Sequence, residues 1–221
     1  MILIIKISTT LKIYFRIIKM NTKKLVKTVK NFLTEKEIKV LNDWTLNHYE
    51  EPYFMDPRMN KDDKQTRFTT RHAYSRCEEY RDYKVKYPKE VYDVQKRLIN
   101  YLKVKQNSIA PWPSFTDGIC TTIAFPPGSC CKHTDPVYYQ NTYTLHCNFV
   151  TQNPESGGIT YVENVPHKFE ESDLLMYITS HLEHEVTEIS GNKPRILWVY
   201  GFCVSLIEMN KIFGISTFNY Q

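Results

Sequence analysis

Two histidines and one aspartate stand in an order that could bind a metal ion. His133 and Asp135 form a His-x-Asp pair, and His184 begins a later His-Glu-Val segment. If the first segment is extended, His133 and Asp135 lie on one face, because side chains alternate along a strand. Two imidazoles and one carboxylate are the ligands of the facial triad, which leaves open positions on a non-haem iron(II) ion.

A single arginine follows this set at the start of an apolar run. Arg195 lies 11 residues after His184 and leads directly into Ile196–Val204. That run is dense enough in apolar residues to predict a strand buried on both faces. A guanidinium at the start of such a strand is permanently charged and planar, so it suits bidentate contacts with a carboxylate.

The order His133, Asp135, His184, Arg195 resembles the iron(II)- and 2-oxoglutarate (2OG)-dependent oxygenases, most closely their prolyl 4-hydroxylase branch. The resemblance covers roughly Cys120 to Val204 and includes segments besides the ligands. These segments are an aromatic turn, a Gly-Gly turn into a strand, and the strand before the second histidine, at Phe125–Gly128, Asn153–Thr160 and Asp173–Tyr177.

The resemblance implies a mainly β (α+β) fold, a double-stranded β-helix or jelly roll with two or more N-terminal supporting helices. It implies iron(II) bound by His133, Asp135 and His184, with O₂ and 2OG as cosubstrates and ascorbate as a candidate reductant. Arg195 would bind the far carboxylate of 2OG. The predicted enzyme hydroxylates an unidentified substrate, favoured to be a prolyl or other residue in a protein or peptide, and converts 2OG to succinate and CO₂. Candidates for an aromatic groove that would hold this substrate are Tyr74, Tyr138, Tyr139, Trp112 and Arg71.

Three side chains compete for a second contact with 2OG. Asn148 is preferred, because it lies on the predicted strand Thr142–Val150 near the point where the family places such a contact. Tyr139 and Tyr143 are the alternatives. Phe125 stands about where some relatives have a cosubstrate-binding tyrosine, so that hydrogen bond would be missing here.

The second histidine ligand also has a competitor. His181 lies three residues before His184, but the 11-residue step to Arg195 matches the family's closing motif only from His184. Three other candidate ligands are interpreted as a strand side chain, a loop residue and a turn cap: His146, His167 and Asp173.

The positive charge of the chain is concentrated near its start. The 221 residues include 29 Lys and Arg, 24 Asp and Glu, and a net charge of +5. Residues 1–34 hold eight of the basic side chains and no acidic one, so the remainder carries 21 basic and 24 acidic groups, about −3. This balance disfavours a nucleic-acid partner and leaves a protein, a peptide or a small molecule as the expected substrate.

The first segment, residues 1–19, is a basic and apolar extension. It either precedes a true start at Met20 or forms an amphipathic arm that packs on the protein or touches a membrane. Lys6, Lys12 and Arg16 interrupt its isoleucines, so no run approaches the ~20 apolar residues of a membrane-spanning helix. It lacks the features of a cleaved signal peptide. The six cysteines contain no C-x-x-C pair and predict reduced thiols in a cytoplasmic protein.

Residues 20–110 are predicted to be a helical support region with a polar loop, and residues 111–221 the catalytic core, with 20–221 a single domain. Thr34 and Glu37 form a capping-box pattern before a helix that ends near His48, with an apolar stripe of Ile38, Leu41, Trp44 and Leu46. A second helix follows Pro88 and ends near residues 106–107. Short runs in the core predict strands at Ile119–Phe125, Thr142–Val150, Ile159–Val162, Asp173–Ile178, His184–Ile189 and Ile196–Val204.

Three other functions are compatible with parts of the pattern. A nucleic-acid-modifying oxygenase would need a basic, aromatic-lined face. A catalytically silent binding module could share the fold, although the complete triad counts against it. A zinc hydrolase could use the same ligands, but its chemistry would give Arg195 no function.

Overall fold

The computed structural model describes residues 22–51, 54–55, 66–67, 70–73, 86–110 and 118–215. The extension 1–19, Met20, Tyr74 and Trp112 lie outside them. Within these ranges the α-helices are α1 (Glu35–His48), α2 (Lys89–Leu102) and α3 (Leu206–Phe213), and 3₁₀ turns occupy Thr22–Leu25 and Gln106–Ser108. The strands are β1 (Val26–Val29), β2 (Phe54–Met55), β3 (Thr66–Arg67), β4 (Thr70–Ala73), β5 (Ile119–Ala124), β6 (Ser129–His133), β7 (Thr142–Gln152), β8 (Ser156–Gly157), β9 (Thr160–Val162), β10 (Val165–His167), β11 (Leu174–Ile178), β12 (His184–Val186), β13 (Ile189–Ser190) and β14 (Arg195–Ser205).

The described strands form two main antiparallel sheets and a separate two-stranded antiparallel pair. The larger sheet has the order β1-β11-β7-β14-β5-β4-β2, the smaller has the order β10-β9-β12-β6-β3, and β13 pairs with β8. The sheets meet where Arg195 on β14 contacts Thr160 on β9. This is the predicted mainly β, jelly-roll architecture with supporting helices.

Strand β14 is buried on both faces, as its apolar run predicts. Trp198, Tyr200 and Phe202 are fully buried on the face that packs against the helices. The ring centroid of Trp198 lies 5.5 Å from that of Trp44 in α1, and the Tyr200 hydroxyl donates to the Val91 carbonyl of α2 at 3.1 Å. The opposite face of β14 is therefore left to line the space between the sheets.

The first helix, α1, begins where the sequence predicts, but the residues on its buried face differ from the predicted ones. Thr34 accepts a hydrogen bond from the Glu37 backbone N–H at 3.2 Å, and Glu37 reaches back to the Thr34 N–H at 2.8 Å. Leu46, predicted as part of the apolar stripe, is 40% exposed, whereas Thr45 is fully buried. Thr45 follows Leu41 by four residues and so shares its helix face.

The second helix ends at Leu102, before the predicted end at residues 106–107. Lys103 adopts a left-handed conformation with φ of 54°, and its N–H donates to the Ile99 carbonyl. This left-handed cap terminates the helix, and the polar residues that follow form the 3₁₀ turn Gln106–Ser108.

Several strands differ from the sequence predictions. The predicted strand His184–Ile189 is divided into β12 and β13, and the one predicted from Ile159 begins at Thr160. Residues 20–110 supply β1 to β4 as well as two helices. Helix α3 was not predicted, although Ser205 and Glu208 form a capping box that is visible in the sequence.

Among the described cysteines, Cys120, Cys147 and Cys203 are buried free thiols, and Cys130 and Cys131 lie half-buried on β6. Among the described residues, no helix is both long enough and apolar enough to cross a membrane.

Candidate active site

The two histidines of the predicted metal set face each other across a pair of strands. His133 ends β6, His184 begins β12, and the two are direct register partners in the antiparallel pair. Side chains at paired positions lie on the same face of a sheet. The two imidazole centroids are accordingly 4.2 Å apart, although the residues are 51 positions apart in the sequence.

Asp135 completes the set from the loop that follows β6. Its backbone N–H donates to the Thr179 carbonyl at 2.9 Å, which fixes the loop beside β11. Its Oδ1 lies 3.6 Å from His133 Nε2 and its Oδ2 lies 3.8 Å from His184 Nε2. One donor atom from each of the three side chains lies within 4.8 Å of the others, so one ion could contact all three.

Backbone carbonyls orient both imidazoles for metal binding. His133 Nδ1 lies 2.7 Å from the Cys131 carbonyl oxygen, and His184 Nδ1 lies 3.1 Å from the Leu182 carbonyl oxygen. Because a carbonyl can only accept a hydrogen bond, we assign the proton of each neutral ring to Nδ1. The Nε2 lone pairs are then directed to Asp135, which is the arrangement that metal-ligating histidines require.

Burial and charge hold these groups in their ligating protonation states. Burial would raise the pKa of Asp135, but the imidazoles of His146, His184 and His133 and the hydroxyl of Thr179 hold it below its ordinary value. Burial lowers the pKa of His184 to about 4. At neutral pH the site therefore offers an ionised carboxylate and a neutral His184 imidazole.

A third histidine contacts this set. His146 was interpreted from the sequence as a strand side chain, and it does lie on β7, but its Nε2 is 3.4 Å from Asp135 Oδ2. Its position two residues before Asn148, on the same strand face, is the one sequence signal that could have placed it in the site.

Arg195 lies deep in the site with few partners. It is only 4% exposed, and it donates from Nη2 to the Thr160 hydroxyl at 3.2 Å. Its Nε is buried without a hydrogen-bond partner among the described residues, and none of the ion pairs between described residues includes it. Burial lowers the pKa of Arg195 to about 10, so the group remains a cation at neutral pH.

A glycine makes room for this guanidinium. Gly158 has a φ of +66°, and a Cβ placed there would lie 3.1 Å from Cδ of Arg195 and 2.9 Å from the Pro154 side chain. A larger residue would be strained in this left-handed conformation and would displace Arg195. The Gly-Gly turn identified in the sequence therefore supports the arginine directly.

The structure distinguishes between the candidates for a second cosubstrate contact. Asn148 is buried and lies near the Tyr177 hydroxyl: burial raises the pKa of Tyr177, whereas Asn148 and Arg195 act to lower it. Tyr139 is 50% exposed, and Tyr143 packs against His181 with ring centroids 4.9 Å apart. Tyr177, on β11, was not predicted from the sequence. Its apolar neighbours give no sequence signal for a polar role.

The competing ligands lie elsewhere. His181 is outside the three-residue group, and its Nδ1 lies 2.8 Å from the Ser180 hydroxyl. Asp173 accepts hydrogen bonds from Lys30 at 2.6 Å and from the Asn31 and Glu170 backbone at 3.1 and 3.0 Å. His167 lies on β10.

The predicted aromatic groove is described only in part. Tyr138 is partly buried beside Asp135, and Tyr139 is half exposed in the same loop. Tyr74, Trp112 and the side chain of Arg71 lie outside the described residues.

The residues present fit both an iron(II) ion and a dicarboxylate. Two imidazole nitrogens and a carboxylate suit a first-row divalent metal and leave positions open for other ligands. A buried cation without a counter-ion is unfavourable unless an anion pairs with it. Arg195 therefore indicates that an anionic ligand belongs in this pocket.

No protein-family model matches the sequence, and no curated protein matches it significantly. Solved structures do match the fold. A Pseudomonas putida prolyl-4-hydroxylase has a TM-score of 0.57 and 9% identity, covering 82% of this chain and 92% of that one. A Trichoplax adhaerens prolyl hydroxylase, in complex with a hypoxia inducible factor oxygen degradation domain peptide, has a TM-score of 0.55 and 16% identity, covering 95% and 96%.

A viral collagen prolyl hydroxylase from Paramecium Bursaria Chlorella virus-1, solved as a 2OG complex, has a TM-score of 0.53 and 13% identity, covering 81% of this chain and 97% of that one. The protein thus has the fold of the prolyl hydroxylase-like 2OG oxygenases, as the sequence resemblance implies.

Proposed function

We propose that this protein is an iron(II)- and 2OG-dependent dioxygenase that hydroxylates a residue, favoured to be proline, in a protein or peptide. The observation that carries the proposal is that two complementary features both lie near Tyr177. The set of three oriented candidate metal ligands includes His184, whose ring centroid is 5.2 Å from that of Tyr177. The buried Arg195, which has no ionic partner among the described residues, acts on the pKa of the same tyrosine. A zinc hydrolase would need the first feature but not the second.

Each part of the site has a separate task in this proposal. His133, Asp135 and His184 would hold iron(II), with their protonation states set by the Cys131 and Leu182 carbonyls and by burial. When bound, iron and 2OG supply the oxidising chemistry, in which O₂ and 2OG yield succinate, CO₂ and a hydroxylated substrate.

Arg195 would bind the far carboxylate of 2OG and orient it. Its burial makes this charge-assisted contact strong, because water does not compete with it. Thr160 and Gly158 hold the guanidinium in place, and Asn148 with the Tyr177 hydroxyl is the proposed second polar contact. The apolar side chains of β14 that face this space, Leu197 and Val199, would exclude bulk water.

The proposal of a peptide substrate rests on two observations. Val137 and Tyr139, in the loop that follows Asp135, are 48% and 50% exposed, so an apolar surface is available beside the metal ligands. The Trichoplax neighbour is solved with a peptide bound. The negative balance of residues 35–221 agrees with a protein ligand more readily than with a nucleic acid.

The test is succinate formation from 2OG by anaerobically purified, iron(II)-loaded protein after exposure to air. Three substrate pools are compared: peptides that contain proline, the same peptides with alanine in its place, and oligonucleotides. We expect iron-dependent turnover that the proline pool stimulates. Asp135→Ala is the matched control and should give no stimulated turnover.

Stimulation by the oligonucleotides alone would replace the peptide proposal with nucleic-acid oxidation. Stimulation by both peptide pools would indicate a residue other than proline. Protein that holds zinc, neither binds nor converts 2OG, and is insensitive to iron would contradict the dioxygenase proposal altogether.

A further inference from the structure

The carboxylate of Asp135 has two oxygens, and both are close to imidazoles. Oδ1 lies nearest His133 Nε2 at 3.6 Å, and Oδ2 lies nearest His146 Nε2 at 3.4 Å. Oδ2 is buried from solvent and makes no hydrogen bond to the described residues. A carboxylate that binds a metal through one oxygen leaves the other in need of a donor, and a buried oxygen cannot obtain that donor from water.

His146 is placed to be a donor and not a fourth ligand. The compact group of metal-binding donor atoms comprises His133, Asp135 and His184, and His146 lies outside it. Of the charged or ionisable contacts made by Asp135 Oδ2, the one to His146 is the shorter, since His184 Nε2 is at 3.8 Å.

Strand pairing explains why an imidazole fits at this position. His146 lies within β7, in the middle of the larger sheet, where its register partners are Tyr177 on β11 and Gly201 on β14. Paired residues have side chains on the same face. Because Gly201 has no side chain, it leaves room for the ring between β14 and the metal ligands.

We propose that His146 is a positioning residue that donates from Nε2–H to Asp135 Oδ2 and so leaves Oδ1 to the metal. The inference rests on the metal site of the proposed function. The 3.4 Å separation is a few tenths of an ångström longer than an ordinary N–H···O bond, so a small movement of the carboxylate completes it. With Oδ2 held in this way, Asp135 would offer the metal the single oxygen Oδ1.

Cobalt(II) binding tests this role without requiring catalysis. The full chain is titrated with cobalt(II) in the absence of 2OG, and the dissociation constant and visible absorption bands are measured. The variants are His146→Leu, which removes the donor, and His146→Gln, whose amide nitrogen reaches the Nε2 position. His181→Leu is the matched control, because it removes an imidazole that lies outside the metal-binding group.

We expect His146→Leu to weaken cobalt binding by about 10- to 100-fold, the usual effect of losing a group that supports a metal ligand. His146→Gln should restore affinity and the wild-type band shape, and His181→Leu should resemble wild type. If His146→Leu does not fold, His146→Asn replaces it, because the shorter amide cannot reach Oδ2 and should bind cobalt weakly.

Two results would overturn the role of His146 while the proposed metal site stands. One is wild-type affinity and spectrum in His146→Leu. The other is weak cobalt binding by both His146→Leu and His146→Gln, with absorption bands of the bound cobalt that differ from those of wild type. That result would make His146 a direct ligand. Wild-type protein that binds no cobalt would instead refute the metal site itself.

Discussion

His133 and His184 are opposite each other on paired antiparallel strands, and their rings lie 4.2 Å apart. The pairing of β6 with β12 places both imidazoles on one face, and the carbonyls of Cys131 and Leu182 turn both Nε2 atoms to Asp135. The face that carries the proposed metal ligands is therefore determined by strand register, and the rest of the candidate site is arranged around it.

The choice of distal ligand can be tested by paired substitutions. His184→Ala should abolish tight metal binding, because it removes one of three ligands. His181→Ala should retain metal, since His181 contacts Ser180 and Tyr143 and not the other ligands. The metal that each variant retains after dialysis is measured by atomic absorption. If His184→Ala retains metal and His181→Ala loses it, the distal ligand is His181.

Asp135→Ala should lose turnover with the fold intact. The substitution removes the only carboxylate of the metal-binding group among the described residues. It also removes a buried charge whose Oδ2 has no hydrogen bond to them, so a large loss of stability is not expected. Succinate release and a thermal unfolding curve provide the two readouts, and wild-type turnover would refute the role of Asp135.

Arg195→Met should weaken 2OG binding while iron still binds. Loss of one partner from a buried charge pair costs about 2–5 kcal/mol, so we expect the KM for 2OG to rise roughly 30-fold or more. Without 2OG the variant should be no less stable than wild type, because the substitution removes a buried charge that lacks an ionic partner among the described residues.

Arg97→Met is the matched control for this experiment. Arg97 pairs with Glu37 at 2.8 Å, on the helices and away from the site. This variant should lose stability without a change in the KM for 2OG. An unchanged KM in Arg195→Met, measured by succinate formation, would show that 2OG does not bind at the arginine.

Tyr177→Phe tests the proposed second contact. Its hydroxyl lies near Asn148 and Arg195, which both act on its pKa, so its removal should raise the KM for 2OG with little effect on metal binding. Tyr143→Phe is the control, because Tyr143 packs against His181. Equal effects of the two substitutions on the KM would exclude a specific role for Tyr177.

Asp173 provides a test of stability that is independent of catalysis. Burial would raise the pKa of its carboxyl, but hydrogen bonds from Lys30 and from the Glu170 and Asn31 backbone hold it below the ordinary value. A lowered pKa stabilises the folded state above the unfolded-state value of about 3.9, and this stability is lost as the pH falls through the folded-state pKa.

Asp173→Asn should therefore destabilise the protein by about 1–3 kcal/mol at pH 7. The difference from wild type should shrink below about pH 4. Urea unfolding at a series of pH values measures it, and a difference that is constant with pH would contradict the assigned interactions.

The sequence alone was sufficient for the strands and for the starts of the helices, because these depend on local patterns. Alternating and apolar runs predict strands, and the capping box at Thr34 predicts the start of α1, since each pattern acts over a few neighbouring residues. The order His133, Asp135, His184, Arg195 extends from residue 133 to residue 195 and indicated the oxygenase fold by its resemblance to that family. The Ser205 capping box carried an equally local signal for α3.

Only the tertiary structure decided which distant residues share the site. His146 enters it because β7 lies between β11 and β14, and Tyr177 enters it through its pairing with His146. Neither relationship can be inferred from spacing along the chain, since strand order and register are set by packing between segments far apart in sequence. The same packing buries Arg195 beside Thr160. Arginine is usually exposed, and its burial here is the reason that we propose it as the residue that binds an anionic cosubstrate.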